Sequence, residues 1–243
     1  MSNLKDRAVL ITGGGSGIGL AAARLFLEQG ARVAISGRNA DKLRQAAESL
    51  GAGRVLHHAA DVSDPAQVRA LADRVLRAFG ALDVLVNNAG INIKGRALRE
   101  MTPESWQQLV RTNLDGAFYC VHAFLPHMRE RRQGLIININ SISGKRANPL
   151  GGIAYNAAKF GLTGMATSLA AEEKANGIRV SSIFPGEVNT PILNERPQPV
   201  AEEHLKAILQ PEDVAAAILF VASLPPHVSV PELVITPSHY AYI

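Results

Sequence analysis

The segment AYNAAKFG, residues 154–161, places a tyrosine and a lysine four positions apart in a run of small residues. Residues at this spacing lie on one face of an α-helix, so Tyr155 and Lys159 can reach the same ligand. A free tyrosine has a pKa of about 10 and is a poor base near neutral pH, but a nearby ammonium group lowers that pKa. The two residues are therefore either an acid–base pair or part of an ordinary packed helix whose lysine extends to solvent.

A glycine cluster near the N-terminus favours the chemical interpretation. Gly13, Gly17 and Gly19 in ITGGGSGIG (11–19) follow a predicted strand and open a predicted helix. Glycines at these points permit a tight turn and let backbone N–H groups approach a pyrophosphate at the helix N-terminus. The alternative is a flexible turn without a ligand, but the placement between the first strand and its helix favours nucleotide binding.

The elements that would position these residues alternate along the chain. Near-continuous apolar runs predict strands, the amphipathic segments between them predict helices, and this order favours a parallel sheet covered on both faces. The fold class is therefore α/β, with a doubly wound sheet in one domain spanning residues 1–243. The predicted strands span 8–12, 31–36, 54–60, 81–88, 135–141, 178–185 and 232–236, and the predicted helices 19–30, 40–51, 65–79, 103–131, 153–176 and 211–224.

Composition argues against several classes of protein. The 243 residues contain one cysteine, Cys120, which rules out an internal disulfide and favours a reducing compartment. No apolar leader follows the charged start MSNLKDR and no apolar run reaches the length of a membrane span, so we expect a cytoplasmic protein without membrane contacts. The net charge of +4 includes one dense basic run, and aromatic residues are few, so no nucleic-acid partner is expected. We also predict no metal site.

Five motifs in chain order resemble those of the short-chain dehydrogenase/reductase family, and the resemblance covers essentially the whole chain. They are TGGGSGIG (12–19), NNAG (87–90), TNLDG (112–116), YNAAK (155–159) and PGEVNT (185–190). The resemblance implies a single-domain Rossmann fold with a doubly wound seven-stranded parallel sheet and helices on both faces. It further implies an NAD(P)-dependent enzyme that acts on CH–OH donors by transferring a hydride between the alcohol carbon and the cofactor.

The resemblance also assigns catalytic roles. Tyr155 would protonate the carbonyl oxygen in reduction and deprotonate the alcohol in oxidation. Lys159 would bond the nicotinamide ribose, and Asn113 would hold a water molecule of the proton relay. A serine at the end of the fifth strand would steady the substrate oxygen. The family's S-x-x-G spacing selects Ser141, although it stands fourteen residues before the tyrosine where thirteen is usual, and Ser143 on the same strand face is the alternative.

The end of the second strand, ISGRN (35–39), indicates the cofactor. Gly37 stands where NAD-using relatives carry an aspartate, and Arg38 offers a charge-assisted donor fork for a 2′-phosphate. We predict NADP(H) over NAD(H), with a solvated turn arginine and an NAD-preferring enzyme as the alternatives. The residues that the resemblance places against the cofactor are Gly13, Gly15, Ser16, Gly17, Ile18, Gly19, Arg38, Asp61, Val62, Asn87, Ala89, Gly90, Tyr155, Lys159, Pro185, Gly186, Val188 and Thr190.

The C-terminal third carries a finer resemblance. The ending LPPHVSVPELVITPSHYAYI is similar to that of an NADP-dependent branch acting on short hydroxy acids and β-hydroxy carbonyl compounds. Arg146 would either anchor a substrate carboxylate or lie in solvent, whereas Glu187 would disfavour an acidic substrate. An irregular stretch, the substrate loop at about 189–210, is suited to cover a ligand. The other predicted pocket residues are Asn92, Ile93, Ser143, Arg146, Asn148 and Glu187.

Together these features predict an NADP(H)-dependent oxidoreductase that interconverts a small ketone or β-keto carbonyl compound and its secondary alcohol. Two alternatives are a catalytically silent nucleotide-binding regulator and a purely structural subunit. The intact Asn113, Tyr155 and Lys159 argue against the first, and nothing in the sequence supports the second. Because members of the family assemble as tetramers or dimers, we expect a homo-oligomer, a homotetramer or dimer, with the predicted helices 103–131 and 153–176 at its interface.

Overall fold

Seven strands form a single sheet in the computed structural model, which describes residues 4–51 and 53–240. The strands are β1 (Ala8–Thr12), β2 (Arg32–Gly37), β3 (Val55–Ala59), β4 (Val84–Asn87), β5 (Gly134–Ile139), β6 (Ile178–Pro185) and β7 (Glu232–Ile235). Their order is β3-β2-β1-β4-β5-β6-β7, and every pairing is parallel. The predicted seven-stranded, doubly wound α/β fold is confirmed.

Helices cover both faces of this sheet. They are α1 (Gly17–Glu28), α2 (Ala40–Ser49), α3 (Pro65–Phe79), α4 (Pro103–Val110), α5 (Gly116–Arg131), α6 (Ile153–Glu173), α7 (Glu202–Ala207) and α8 (Pro211–Ala222). One apolar cluster packs α1, α2 and α8 against the sheet, and a second packs α3, α5 and α6 against the opposite face. The strands are apolar on both sides because each side is covered in this way.

The direction of winding reverses between β1 and β4, which lie side by side in the sheet. In doubly wound sheets the crevice beyond the carboxyl ends of the strands at such a switch point is the usual ligand site. The carboxyl ends of β1, β4, β5 and β6 therefore bring together residues that are far apart in sequence. The fold predicts a site at this edge before any side chain is considered.

The predicted helix 103–131 is interrupted. A π-helical turn over Arg111–Asp115 separates α4 from α5. The side-chain amide of Asn113 donates to the carbonyl of Leu109 at 2.9 Å, which is the acceptor that its own backbone N–H would use in a regular α-helix. This competition accounts for the local widening, and such turns are frequent at functional sites. Pro126 lies inside α5 without ending it.

Two further boundaries differ from the predictions. The predicted strand 81–88 is shorter in the structure, where β4 spans Val84–Asn87, and Asn88 directly after it lines the site. The substrate loop, predicted as irregular, contains a 3₁₀ turn over Pro191–Glu195 and the short helix α7. Among the residues that the structure describes, no helix is long and apolar enough to span a membrane.

Candidate active site

The glycine-rich turn between β1 and α1 is packed so closely that larger residues would not fit. Gly13 and Gly17 have positive φ angles of 66° and 51°. A Cβ at Gly19 would lie 2.5 Å from the carbonyl oxygen of Gly13, and one at Gly17 would lie 3.1 Å from Thr190 Cγ2. Ser16 makes no side-chain capping hydrogen bond to α1, so the first N–H groups of the helix are available to a phosphate. This turn fits a dinucleotide.

Asn88 anchors the turn, and the sequence analysis did not single it out. Its side-chain amide donates to the carbonyls of Thr12 at 2.9 Å and Gly13 at 3.3 Å. The Thr12 hydroxyl in turn accepts from the backbone N–H groups of Asn88 and Ala89, both at 3.0 Å. The NNAG motif after β4 therefore holds the glycine turn through hydrogen bonds.

Two cations lie at the carboxyl end of β2. Arg38 is exposed and lines the cleft, as predicted by its position after Gly37. Lys42, which we did not predict, lines the same cleft from the first turn of α2, and its backbone N–H is capped by Asn39 at 2.9 Å. Neither Arg38 nor Lys42 forms an ion pair within residues 4–51 and 53–240, so both charges are available to a ligand.

Several predicted cofactor residues do not line the cleft, among them Asp61, Val62 and Asn87. The carboxylate of Asp61 accepts from the N–H and hydroxyl of Ser63 at 2.9 and 2.7 Å. Val62 is buried against Gly116, and Asn87 is buried and donates to Asn138 at 3.0 Å. The cleft-lining members of the predicted cofactor set are Gly13, Ser16, Gly17, Ile18, Arg38, Ala89, Gly90, Tyr155, Lys159, Pro185, Gly186, Val188 and Thr190, and Gly15 and Gly19 are not among them.

Tyr155 and Lys159 face the cleft from the first turns of α6. Lys159 is 4% exposed, its Nζ donates to the carbonyl of Ile139 at 2.9 Å, and it lies 5.6 Å from the centroid of the Tyr155 ring. Burial lowers the pKa of Lys159 to about 8. Burial also raises the pKa of Tyr155, and a hydrogen bond with Ser141 opposes that rise. A buried lysine and a partly buried tyrosine therefore lie side by side in the cleft.

The two candidate serines follow β5 and do not share a strand face as predicted, because Ser141 caps a 3₁₀ turn over Ile142–Gly144 that contains Ser143. They also differ in their partners. Ser141, the predicted residue, hydrogen-bonds with Tyr155, and its hydroxyl also accepts from the N–H of Ser143 at 3.1 Å. Ser143 is buried, and its hydroxyl accepts from the amide of Asn148 at 3.2 Å. The structure thus places Ser141 beside the tyrosine and uses Ser143 to hold the loop that precedes α6.

Asn113 is buried, and both ends of its side chain bond to the backbone. Its carbonyl oxygen accepts from the N–H of Ile91 at 3.0 Å, and its amide donates to the carbonyls of Ile91 and Leu109. These bonds fix the loop after β4 beneath the cleft. The water-holding role that the resemblance implies for Asn113 stays a prediction.

Glu187, predicted to lie in the pocket, is the centre of a polar cluster. Its carboxylate accepts from the hydroxyl of Tyr240, lies 2.8 Å from His204 Nε2, and pairs with Arg196 at 2.5 Å without hydrogen-bond geometry. Burial raises the pKa of Glu187, but the three partners together outweigh burial and hold that pKa below its ordinary value. The cluster compensates the negative charge that we expected to disfavour an acidic substrate.

Arg96 is another cleft residue that we did not predict. It is 6% exposed, lines the cleft and donates to backbone carbonyls of three separate segments. No motif announces such a residue, because its acceptors are main-chain groups up to 99 positions away. All the predicted pocket residues also line this cleft, namely Asn92, Ile93, Ser143, Arg146, Asn148 and Glu187.

These residues surround one cleft of about 980 Å³ at the carboxyl edge of the sheet. Its one half holds the glycine turn and the two cations, and its other half holds Tyr155, Ser141 and the Glu187 cluster. Within the described ranges, no three His, Cys, Asp or Glu side chains are grouped as a metal would require. A dinucleotide cradle beside Tyr155, Ser141 and Lys159 indicates a nicotinamide-dependent oxidoreductase with a Rossmann fold.

Comparison with known proteins gives the family. The family model for short chain dehydrogenases matches residues 7–201. The chain is 38% identical to the 3-oxoacyl-(acyl-carrier-protein) reductase FabG of Thermotoga maritima over 228 residues, which cover 90% of this chain and 92% of that one. The protein belongs to the short-chain dehydrogenase/reductase family and is an NAD(P)-dependent enzyme.

Two solved structures illustrate the fold with a cofactor. A metagenomic short-chain oxidoreductase in complex with NADP has a TM-score of 0.84 and 34% identity, covering 98% of this chain and all of that one. A 3-ketoacyl-(acyl-carrier-protein) reductase of Brucella melitensis, complexed with NADH, has a TM-score of 0.88 and 30% identity, covering 97% of this chain and 98% of that one. Similar structures therefore occur with either dinucleotide.

Proposed function

We propose that the protein is an NADP(H)-dependent oxidoreductase that interconverts a small ketone or β-keto carbonyl compound and its secondary alcohol. The observation that carries the proposal is the arrangement of Tyr155, Ser141 and Lys159 in the same cleft as the glycine turn. A dinucleotide whose pyrophosphate is bound by the glycine turn would extend its nicotinamide ring toward Tyr155 and Ser141. The two hydroxyl groups could then bind the carbonyl oxygen of a substrate beside that ring.

The chain's own residues perform the proton chemistry. NADPH, when bound, supplies the hydride that reduces the carbonyl carbon. The Ser141 hydroxyl donates a hydrogen bond to the carbonyl oxygen, and the Tyr155 hydroxyl gives that oxygen its proton and becomes a phenolate. The ammonium group of Lys159, held by Ile139, stabilises the phenolate. In the oxidation direction the phenolate removes the proton of the alcohol.

Two observations support NADP(H) over NAD(H). Gly37 leaves the end of β2 without a carboxylate that would repel a 2′-phosphate. Arg38 and Lys42 line this end of the cleft with two positive charges, so a 2′-phosphate there would have two cationic partners. Calorimetry of the wild-type protein should show NADPH binding more tightly than NADH. Tighter binding of NADH would contradict this preference.

The proposed substrate class rests on the C-terminal third and on the relatives. The ending of the chain resembles an NADP-dependent branch acting on short hydroxy acids, and the Thermotoga maritima relative is named for a 3-oxoacyl substrate. The test is NADPH oxidation by the wild-type enzyme with ketoacids, β-ketoesters, quinones and sugars. We expect turnover with small β-keto compounds, and no oxidation across the whole panel would contradict the proposed function.

We also propose a cytoplasmic homo-oligomer built from a single domain with a substrate loop at 189–210. Trp106 of α4, Phe118 of α5 and Phe160 of α6 are 38%, 49% and 44% exposed, and burying such apolar surface favours association. These helices are those expected at the subunit interface of the family. Sedimentation should show a dimer or tetramer, and a monomeric mass would contradict the assembly.

A further inference from the structure

Arg96, in the loop after β4, is a buried cation held by carbonyl groups. Its Nε donates to Ile93 at 2.8 Å, its Nη1 donates to Leu150 at 2.7 Å, and its Nη2 donates to Glu195. Within residues 4–51 and 53–240, no carboxylate forms an ion pair with it. One guanidinium therefore joins the loop after β4, the loop before α6 and the substrate loop. Burial lowers the pKa of Arg96 from its ordinary value.

The same residue packs against the start of the helix that carries Tyr155. The N–H of Ile153 donates to the carbonyl of Arg96 at 3.4 Å. Gly152, with a φ of 80°, lies so close that a Cβ there would come within 2.6 Å of the Arg96 Cβ. Because Tyr155 lies in the first turn of α6, its position relative to the substrate loop depends on Arg96.

Two cations reach Tyr155 from different elements, Lys159 from α6 itself and Arg96 from the loop after β4. Burial raises the pKa of the Tyr155 hydroxyl, while the hydrogen bond with Ser141 and then the charge of Arg96 act to lower it. The interaction is mutual, because Tyr155 also favours the charged form of Arg96. Arg96 and the tyrosine are therefore electrostatically coupled.

The remaining charged groups around Arg96 lie on the substrate loop and at the end of β6. Arg196 opposes the charge of Arg96, but it is itself paired with Glu187. The carboxylate of Glu195 attracts Arg96 without forming an ion pair. Because the Arg196 charge is compensated locally, Arg96 is the substrate-side cation that acts on Tyr155.

We propose that Arg96 is a positioning residue for the proton transfer, which fixes the start of α6 against the substrate loop and stabilises the phenolate form of Tyr155. The proposal rests on the proposed function, because only a proton-exchanging tyrosine gives this charge a role. In chemical terms, the buried guanidinium complements the negative charge that appears on the tyrosine oxygen when the proton leaves.

The test compares Arg96→Gln, Arg96→Lys and the control Arg99→Gln, which removes an exposed arginine from the same loop. The first readout is tyrosinate absorbance against pH in the cofactor-free protein, with the Tyr155→Phe signal subtracted. The second is the pH profile of kcat and KM for alcohol oxidation. Circular dichroism and thermal melting establish which variants are folded.

For Arg96→Gln we expect the tyrosinate midpoint and the acid limb of kcat to move up by about one pH unit, since a stabilising charge is lost. For Arg96→Lys we expect the midpoint to stay within about 0.3 unit, since the charge is kept. Its kcat should fall about tenfold with KM changed less, since an ammonium group cannot hold three carbonyls in the same geometry. Arg99→Gln should match the wild type in both readouts.

A folded Arg96→Gln that titrates like the wild type would overturn the proposal. If Arg96→Gln fails to fold, the lysine variant decides. An unshifted profile with reduced kcat supports the proposal, and a shift of one unit or an unchanged kcat overturns it. A wild-type protein inactive on every carbonyl compound would contradict the proposed function, while the cofactor-free titration would still decide on Arg96.

Discussion

The two halves of the cleft are built from different kinds of contact. In the cofactor half, backbone atoms of the glycine turn approach one another within a few residues, and the NNAG segment holds that turn by short hydrogen bonds. In the substrate half, long side chains join separate segments of the chain. Arg96 bonds carbonyls 54 and 99 positions away, and Tyr240 reaches Glu187 from 53 positions away.

This difference predicts different responses to substitution. Close backbone approach leaves no room for even one added carbon atom, so a single substitution in the glycine turn should cause a large loss of cofactor affinity. A side chain with several partners can lose one of them and keep the others, so single substitutions in the substrate half should cause smaller losses of substrate binding.

The sharpest break is expected at Gly19. An added Cβ would lie 2.5 Å from the carbonyl oxygen of Gly13. The turn could relieve this clash only by changing its backbone conformation. For Gly19→Ala we expect NADPH affinity to fall by at least about 100-fold, the equivalent of roughly 2.7 kcal/mol, measured by calorimetry. Gly164→Ala is the matched control, because nothing lies within 4 Å of the added carbon on α6, and it should bind like the wild type. Equal affinities for the two variants would contradict the close-approach account.

Arg38 tests whether the cofactor half discriminates through charge. Its guanidinium is exposed and free of ion pairs among the described residues. For Arg38→Gln we expect NADPH affinity to fall about tenfold while NADH affinity changes less than twofold. The reason is that only NADPH carries the 2′-phosphate with which the charge of Arg38 would interact. Lys42→Gln should show the same selectivity with a smaller loss. Parallel losses for both dinucleotides would mean that Arg38 shapes the turn instead.

Glu187 tests the smaller losses expected in the substrate half. For Glu187→Gln we expect KM for the carbonyl substrate to rise about fivefold with NADPH affinity unchanged, because the amide still accepts one hydrogen bond but no longer pairs with Arg196. The partners hold the pKa of Glu187 below its ordinary value of 4.5, so its contribution to folding is present above that pH and is lost as the pH falls through the folded-state pKa.

The stability of the Glu187 cluster gives a second readout. The difference in free energy of unfolding between the wild type and Glu187→Gln should be about 1–2 kcal/mol at pH 7 and should shrink below pH 4.5, by chemical denaturation at each pH. A difference that does not depend on pH would show that the carboxylate charge plays no part in holding the substrate loop.

The same contrast explains how much could be predicted from the sequence. Apolar periodicity predicted all seven strands, and the glycine spacing with Gly37 and Arg38 predicted the cofactor end, because each of these signals consists of residues close together in sequence. The contacts of the glycine turn with Asn88 and Thr190 have no such signal. Arg96 left no local pattern, since its partners are carbonyls that any residue type provides. The π-helical turn at Asn113 was missed for a similar reason, because it depends on a side chain that bonds the carbonyl of Leu109.

The most direct measurement is NADPH oxidation by Tyr155→Phe beside the wild type, with calorimetry of NADPH on both proteins. The phenyl ring keeps the shape of the side chain but carries no proton, so NADPH affinity should stay within about threefold. The rate of carbonyl reduction should fall by about 10²–10⁴-fold, the usual contribution of a positioned general acid. A variant that binds NADPH normally and reduces the carbonyl compound within tenfold of the wild-type rate would contradict the assignment of Tyr155 as the proton donor.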